Sequence, residues 1–168
     1  MMRKQFKTLL IVAIALIGTS QAVVAQAKSA HVDVQELMSK MPAMLDAQKQ
    51  LEKLSGTYDT DYKTMVDEYQ NKIKKYEQEA TTVGDKVNEE RSREVQDMQK
   101  RIVDFRDNAQ KELQKKEQDL TKPIIDRVRA SIQKVGKAKG YQYIFNSAEL
   151  LMADGPDITA DVKKDLGF

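Results

Sequence analysis

One histidine, His31, and no cysteine are what 168 residues offer to the commonest catalytic and metal-binding chemistries. Without a thiol there is no disulfide, no thiolate nucleophile and no cysteine-ligated metal. A nucleophile–histidine–acid relay needs a hydroxyl and a carboxylate held around the imidazole, and no such set can be assigned around His31. Close to the N-terminus, in a short alternating stretch, His31 reads as a surface residue. No His/Asp/Glu grouping carries metal-ligand spacing. Glu89-Glu90 and the other acid pairs look like a solvated helix face rather than a general acid and base. Gly136 to Gly140 has the glycines of a phosphate loop but not the P-loop pattern with its following Ser/Thr. A lysine-rich helix end closed by glycine explains it better. The sequence predicts no catalytic residue, no cofactor and no metal. It predicts a binder, not an enzyme.

The tyrosines say more. Tyr58, Tyr62, Tyr69 and Tyr76 recur on one stripe with Leu51, Leu54, Met65, Ile73, Ala80 and Val83, at steps of three and four. Leu54, Met65 and Tyr76 are eleven apart, as are Tyr58, Tyr69 and Ala80. Eleven residues in three turns is about 3.67 per turn, which predicts a nearly straight or slightly right-handed helix pair. The plain reading is that these rings pack against a second helix, with hydroxyls reaching water. The functional reading is that Tyr58, Tyr62, Tyr69 and Tyr76, with Met98 and Phe105 on the returning helix, face a space between arms and touch a binding partner.

These residues need a long element to carry them. From Leu45 to Leu120 there is no proline, and Pro42, Pro123 and Pro156 all lie outside. Gly84 stands almost at the centre, where a helix terminus often uses a glycine at positive φ. The return stripe is Val87, Val95, Met98, Ile102, Phe105, Ala109, Leu113, Leu120, Ile124, Val128, Ile132 and Val135. An antiparallel hairpin follows, with arms roughly 57 Å long at 1.5 Å per residue. Pro123 should bend or loosen the second helix, and it falls at the base of the arms. Asp59/Lys63, Glu68/Lys72, Asp97/Arg101, Asp107/Lys111 and Glu112/Lys116 are spaced for helical ion pairs in the favourable order. So narrow an apolar stripe touches one partner helix only, which favours a projecting arm over a compact bundle.

Residues 1–25 read as a secretory signal. Arg3, Lys4 and Lys7 precede the apolar run Leu9 to Ile17, and Ala25-Gln26-Ala27 fits cleavage after residue 25 or 27. The run is far short of the roughly 20 residues that span a membrane. Removing three Lys/Arg and no acid takes the formal charge from +2 to −1. The mature chain then offers no basic patch for nucleic acid.

The ends should form a small body, residues 28–44 and 121–168. His31 to Val34 reads as a strand, followed by helix with Pro42 in the first turn of the long arm. After Lys139-Gly140, Tyr141, Tyr143 and Phe145 share one strand face and Ile144 the other. Leu150 to Ala153 is expected to be a further strand, then a turn at Asp154-Gly155-Pro156. Asp157 should cap a short helix containing Ile158 and Val162. A body of about 65 residues is marginal alone, so an obligate oligomer is expected. The fold class is α+β, mainly α: a long helical hairpin (45–120, tip near 84) on a small β-containing body.

The whole layout resembles the Skp/OmpH family of periplasmic chaperones. The residues that carry the resemblance are Val32-Asp33-Val34-Gln35 with Met41-Pro42, and Pro123-Ile124-Ile125. Gly140-Tyr141-Gln142-Tyr143-Ile144-Phe145-Asn146 and Asp157-Ile158-Thr159-Ala160-Asp161-Val162 complete them. The resemblance implies a homotrimer whose strands form a shared trimerisation body, with three hairpins around a cavity that holds unfolded outer-membrane proteins without ATP. By position, Val32, Val34, Tyr141, Tyr143, Ile144, Phe145, Leu151 and Ile158 would build that body. One feature departs from the family. Residues 45–120 hold 15 Lys/Arg and 18 Asp/Glu, net −3, where well-known members have basic arms. Contact with anionic lipid or lipopolysaccharide is therefore not carried over. The competing class is an exported adaptor coiled coil that spaces or bridges envelope components.

Overall fold

The computed structural model describes residues 27–168; the expected signal sequence lies outside them. The chain runs β1 (Ser29–Val32), α1 (Val34–Lys40), α2 (Pro42–Glu79), α3 (Asp85–Ala138), β2 (Tyr143–Asn146) and α4 (Thr159–Leu166). It is α+β and mainly α.

Local chemistry sets each boundary. The Asp33 carboxylate accepts from the Glu36 amide at 2.7 Å and so starts α1. This moves Val34 out of the expected strand and into a helix. Met41 is extended (φ −69°, ψ 122°), as the residue before proline prefers. Pro42 then opens α2 at the position where its missing N–H costs nothing.

The hairpin turns at residues 80–84. Gly84 begins α3 in an extended conformation (φ −75°, ψ 164°), so the expected positive φ is absent there. Its carbonyl accepts from Val87 and Asn88 at 3.0 and 3.2 Å, and the Asn88 amide donates to the Ala80 carbonyl at 2.9 Å. Side chain and backbone thus close the tip without a left-handed residue. Positive φ occurs at Gly140 (73°) and Gly167 (91°), where α3 and α4 end. Helix α3 continues through Pro123 for about four more turns. Gly56 sits inside α2 with nothing within 4 Å of a built Cβ. Gly56→Ala should therefore stabilise the protein by about 1 kcal/mol, read as a higher urea midpoint.

β1 and β2 pair in parallel, Ser29 beside Tyr143 through Val32 beside Asn146. The two long helices form the crossover between them. The other edge of β1 is taken by the segment before α4: His31 N–H donates to the Pro156 carbonyl at 2.9 Å, and Ile158 N–H to the His31 carbonyl at 3.0 Å. The expected strand Leu150–Ala153 is not formed. A single 3-10 turn, Ser147–Glu149, carries the chain outward instead. The core is Ala30, Val32, Leu37, Met41, Val128, Val135, Ile158, Val162 and Leu166, drawn from β1, α1, α4 and the base of α3, with Ile144 of β2 packed against it.

Asp157 is not the cap of the last helix: Ile158 holds that position, and the Asp157 carboxylate, one residue earlier, accepts from the Thr159 amide at 2.8 Å and its hydroxyl at 2.6 Å. The helix starts at Thr159, so Ile158 precedes it. Thr159 Oγ1 also accepts from the Asp33 amide at 2.9 Å, which ties the α4 start to the α1 start. Glu36 joins the same helices through Lys163 at 2.5 Å and reaches Lys40 at 2.8 Å.

Those two ammonium groups, Lys163 first, hold the Glu36 carboxyl down at about 2 from 4.5. A depressed folded pKa adds stability above about pH 4.5, and that stability is lost as pH falls towards 2. Asp165 is lowered in the same sense by Lys134 and then Ser131. Acid titration followed by circular dichroism should show a loss of stability in this window, and Lys163→Met should shrink it.

Candidate functional site

The arms meet along a narrow seam whose side chains are mostly half-buried. Ala47, Met98 and Ala109 are its buried points. Tyr58 and Phe105 cross from opposite arms edge to face, with centroids 6.0 Å apart. This favours the packing reading for both rings, each of which is half-buried. Towards the tip the seam turns polar. Glu94 of α3 accepts from Lys72 and from the Tyr76 hydroxyl of α2. The Arg91 guanidinium lies 4.5 Å from the Tyr76 ring centroid and pairs with Glu79 at 2.5 Å. Lys72, then Tyr76, hold the Glu94 carboxyl below its ordinary value. Burial of the apolar stripe thus fixes the middle of the arms, and cross-arm charges fix the end.

Among the described residues, none of the five helical ion pairs read from the sequence closes to 4.0 Å. Lys72 reaches across to Glu94 instead of back to Glu68. A lysine near the seam exchanges a solvated neighbour on its own helix for a half-buried partner that also binds Tyr76.

Shallow cavities follow the seam. One of about 210 Å³ lies between Met65 and Met98, and one of about 340 Å³ lies beside Tyr76 and Arg91 near the tip. Another of about 350 Å³ is lined by Tyr58, Tyr62 and Phe105, and a neighbour of about 500 Å³ by Leu51 and Leu113. Of the six arm residues named as client contacts, Met98 belongs to the seam interior. Tyr58, Tyr69, Tyr76 and Phe105 are half-buried, and Tyr62 is exposed.

The body residues divide in two. Val32 and Ile158 lie in the chain's own core, with Val34, Tyr141 and Ile144 packed against it. Tyr143 and Phe145 point outward, 57% and 48% exposed, with rings stacked at 6.4 Å. Leu151 and Met152 stand almost fully in water. Met152 was not singled out by sequence; it simply follows Leu151 in an apolar pair. Tyr143 and Phe145 stand on a strand whose outer edge is unpaired among the described residues, and with Leu151 and Met152 they are large apolar side chains that a lone chain leaves uncovered.

His31 is not the surface residue expected. Its side chain is 12% exposed, with Nε2 at 3.0 Å from the Gly155 carbonyl and Nδ1 at 4.0 Å from Asp157. It fastens the loop before α4 to β1. No group of three metal-ligating side chains occurs among the described residues. No helix of the described residues is long and apolar enough to cross a membrane.

Comparison with known proteins agrees with this layout. No curated protein sequence matches the chain. A crystal structure described as a candidate outer membrane chaperone (OmpH-like) from Caulobacter crescentus CB15 is similar in fold. The two share a TM-score of 0.75 and 16% identity over 83% of each chain. The family model for outer membrane proteins of the OmpH-like type matches residues 28–166, which takes in the entire hairpin and all but the last two residues of the body segments. The chain belongs to the OmpH-like family.

Proposed function

We propose that this protein is an ATP-independent periplasmic holdase. It would enclose unfolded outer-membrane proteins between its helical arms and keep them from aggregating. The observation that carries this reading is the pairing of a long, thinly packed hairpin with a small body whose outward face is apolar. The uncovered apolar side chains of Tyr143, Phe145, Leu151 and Met152 suit assembly with further copies, and a trimer would set three arms around one space.

Clients with exposed strands aggregate through apolar surface and free edges. An arm with many shallow, half-apolar contacts can hold such chains weakly at many points, so release to a stronger acceptor requires no fuel. Signal-directed export, residues 28–44 and 121–168 as the assembly body, and 45–120 as the arm are parts of the same proposal.

Native mass measurement with a urea-diluted β-barrel client tests it. The expected species are a trimer and a trimer carrying one client. A monomer that binds nothing would overturn the reading. A stable oligomer that ignores client but bridges envelope components would favour the adaptor class.

A further inference from the structure

On one face of the hairpin, near the body, two of the seam cavities join. The volumes of about 350 and 500 Å³ share Gln110 and Leu113 as lining residues, so they form one groove along the arm. Tyr58, Tyr62, Phe105 and Leu113 make its apolar wall. Its charged residues are Glu52, Asp59, Glu117 and Arg106.

Those charges are not balanced. Arg106 already pairs with Asp107 at 3.2 Å. Glu52 accepts only a neutral amide, from Gln48 at 3.3 Å. Among the described residues no Lys or Arg lies within 4.0 Å of the Asp59 or Glu117 carboxylate. Asp59 stands four residues before Lys63, yet the two do not pair. An aromatic wall rimmed by unpaired carboxylates attracts a ligand that carries both an apolar body and positive charge.

Resting on the holdase reading, we infer that this groove is a client subsite selective for extended segments in which aromatic residues alternate with lysine or arginine. An extended chain places alternate side chains on opposite faces. Aromatic groups can therefore enter the two cavities in turn, and the lysine or arginine between them, starting on the outer face, bends its long stem back over the rim to reach Asp59 and Glu117. The groove is lined by side chains of two helices and presents no free strand edge, which favours side-chain readout over strand addition. Selection is by local charge, which fits an arm of net charge −3.

The test uses the full protein as purified and two labelled peptides with the same aromatic residues, one with lysines between them and one with glutamates. The lysine peptide should bind about fivefold tighter at low salt, and the difference should shrink as salt is added. The double variant Asp59→Asn/Glu117→Gln should bring the ratio to about one without altering far-ultraviolet dichroism, and Tyr62→Ser should weaken binding of both peptides.

Equal binding of the two peptides by the unaltered protein overturns the subsite. So does an unchanged ratio in the double variant. A change in oligomer mass on substitution overturns it too, because the groove would then be seated on another copy. If the double variant still suppresses aggregation of a β-barrel client but discriminated between peptides no differently from the parent, the subsite fails while the holdase reading stands.

Discussion

Leu37→Ala is expected to lower stability by about 3 kcal/mol, with the thermal midpoint falling by roughly 10 °C. Leu37 is 0% exposed and is the one fully buried side chain of α1. Its neighbours come from β1, α3 and α4 as well as the α2 base. No single element can collapse into the space it vacates, because each is anchored elsewhere. Asp33 is bound to Thr159, Glu36 to Lys163, and Arg127 to the Leu166 carbonyl at 3.0 Å. The cavity therefore persists, and the cost includes both lost transfer energy and lost contacts. Leu37→Met, similar in volume, should cost less than about 1.5 kcal/mol. Equilibrium urea unfolding distinguishes the two. An alanine variant as stable as the parent would mean that the core does not hold the body together as described.

Gly136→Leu should be comparably damaging, at about 3 kcal/mol. Gly136 is buried in α3 where the helix passes β2, and a Cβ built there would stand 2.2 Å from Ile144 Cδ1 and 3.3 Å from its Cγ1. A first carbon can be met by swinging the end of the isoleucine aside. Gly136→Ala should therefore be mild, with the gain in helix propensity offsetting part of the clash. Leucine leaves no such escape and pushes β2 away from α3. Since β2 is held by β1, by the Lys28 carbonyl and by the Val34 amide that donates to Asn146 Oδ1, its displacement would also disturb the outward Tyr143 and Phe145 faces. Adding Ile144→Ala to Gly136→Leu should restore more than half of the lost stability, a coupling that a double-mutant cycle reads directly. Additive losses would show that the two residues do not compete for one space.

Both predictions rest on contacts that periodicity does not reveal. The arm itself was legible because it is a local pattern. Absence of proline between 45 and 120, the steps of three and four, and Gly84 near the centre determine helix, partner and turn without long-range information. Tyr58 with Phe105 could also be read, since the two lie at similar distances from the tip. Lys72 with Glu94 could have been found the same way, twelve and ten residues from Gly84. Local acid-first spacing drew Lys72 to Glu68 instead, because solvent exposure on one helix says nothing of a better partner on the next.

The body was less legible for the same reason. Val32 and Val34 alternate like a strand, but Asp33 is a strong cap and the helix begins one residue later. Leu150 to Ala153 is apolar enough for a strand. It is Pro156 to Ile158 that lies along β1 instead, and only the folded topology brings that loop there. His31 was read from its sequence neighbours, yet its environment comes from Gly155 and Asp157, more than a hundred residues away. Gly84 gave the turn correctly and its φ wrongly, because Asn88 supplies the hydrogen bond that a left-handed glycine would otherwise make possible.

The central claim is that the arms hold unfolded clients apart. Light scattering of a β-barrel membrane protein, diluted from urea with and without this protein, tests that most directly. Suppressed aggregation at molar excess of the assembled protein, without nucleotide, is the predicted result. Scattering that rises unchanged at the same excess would contradict it.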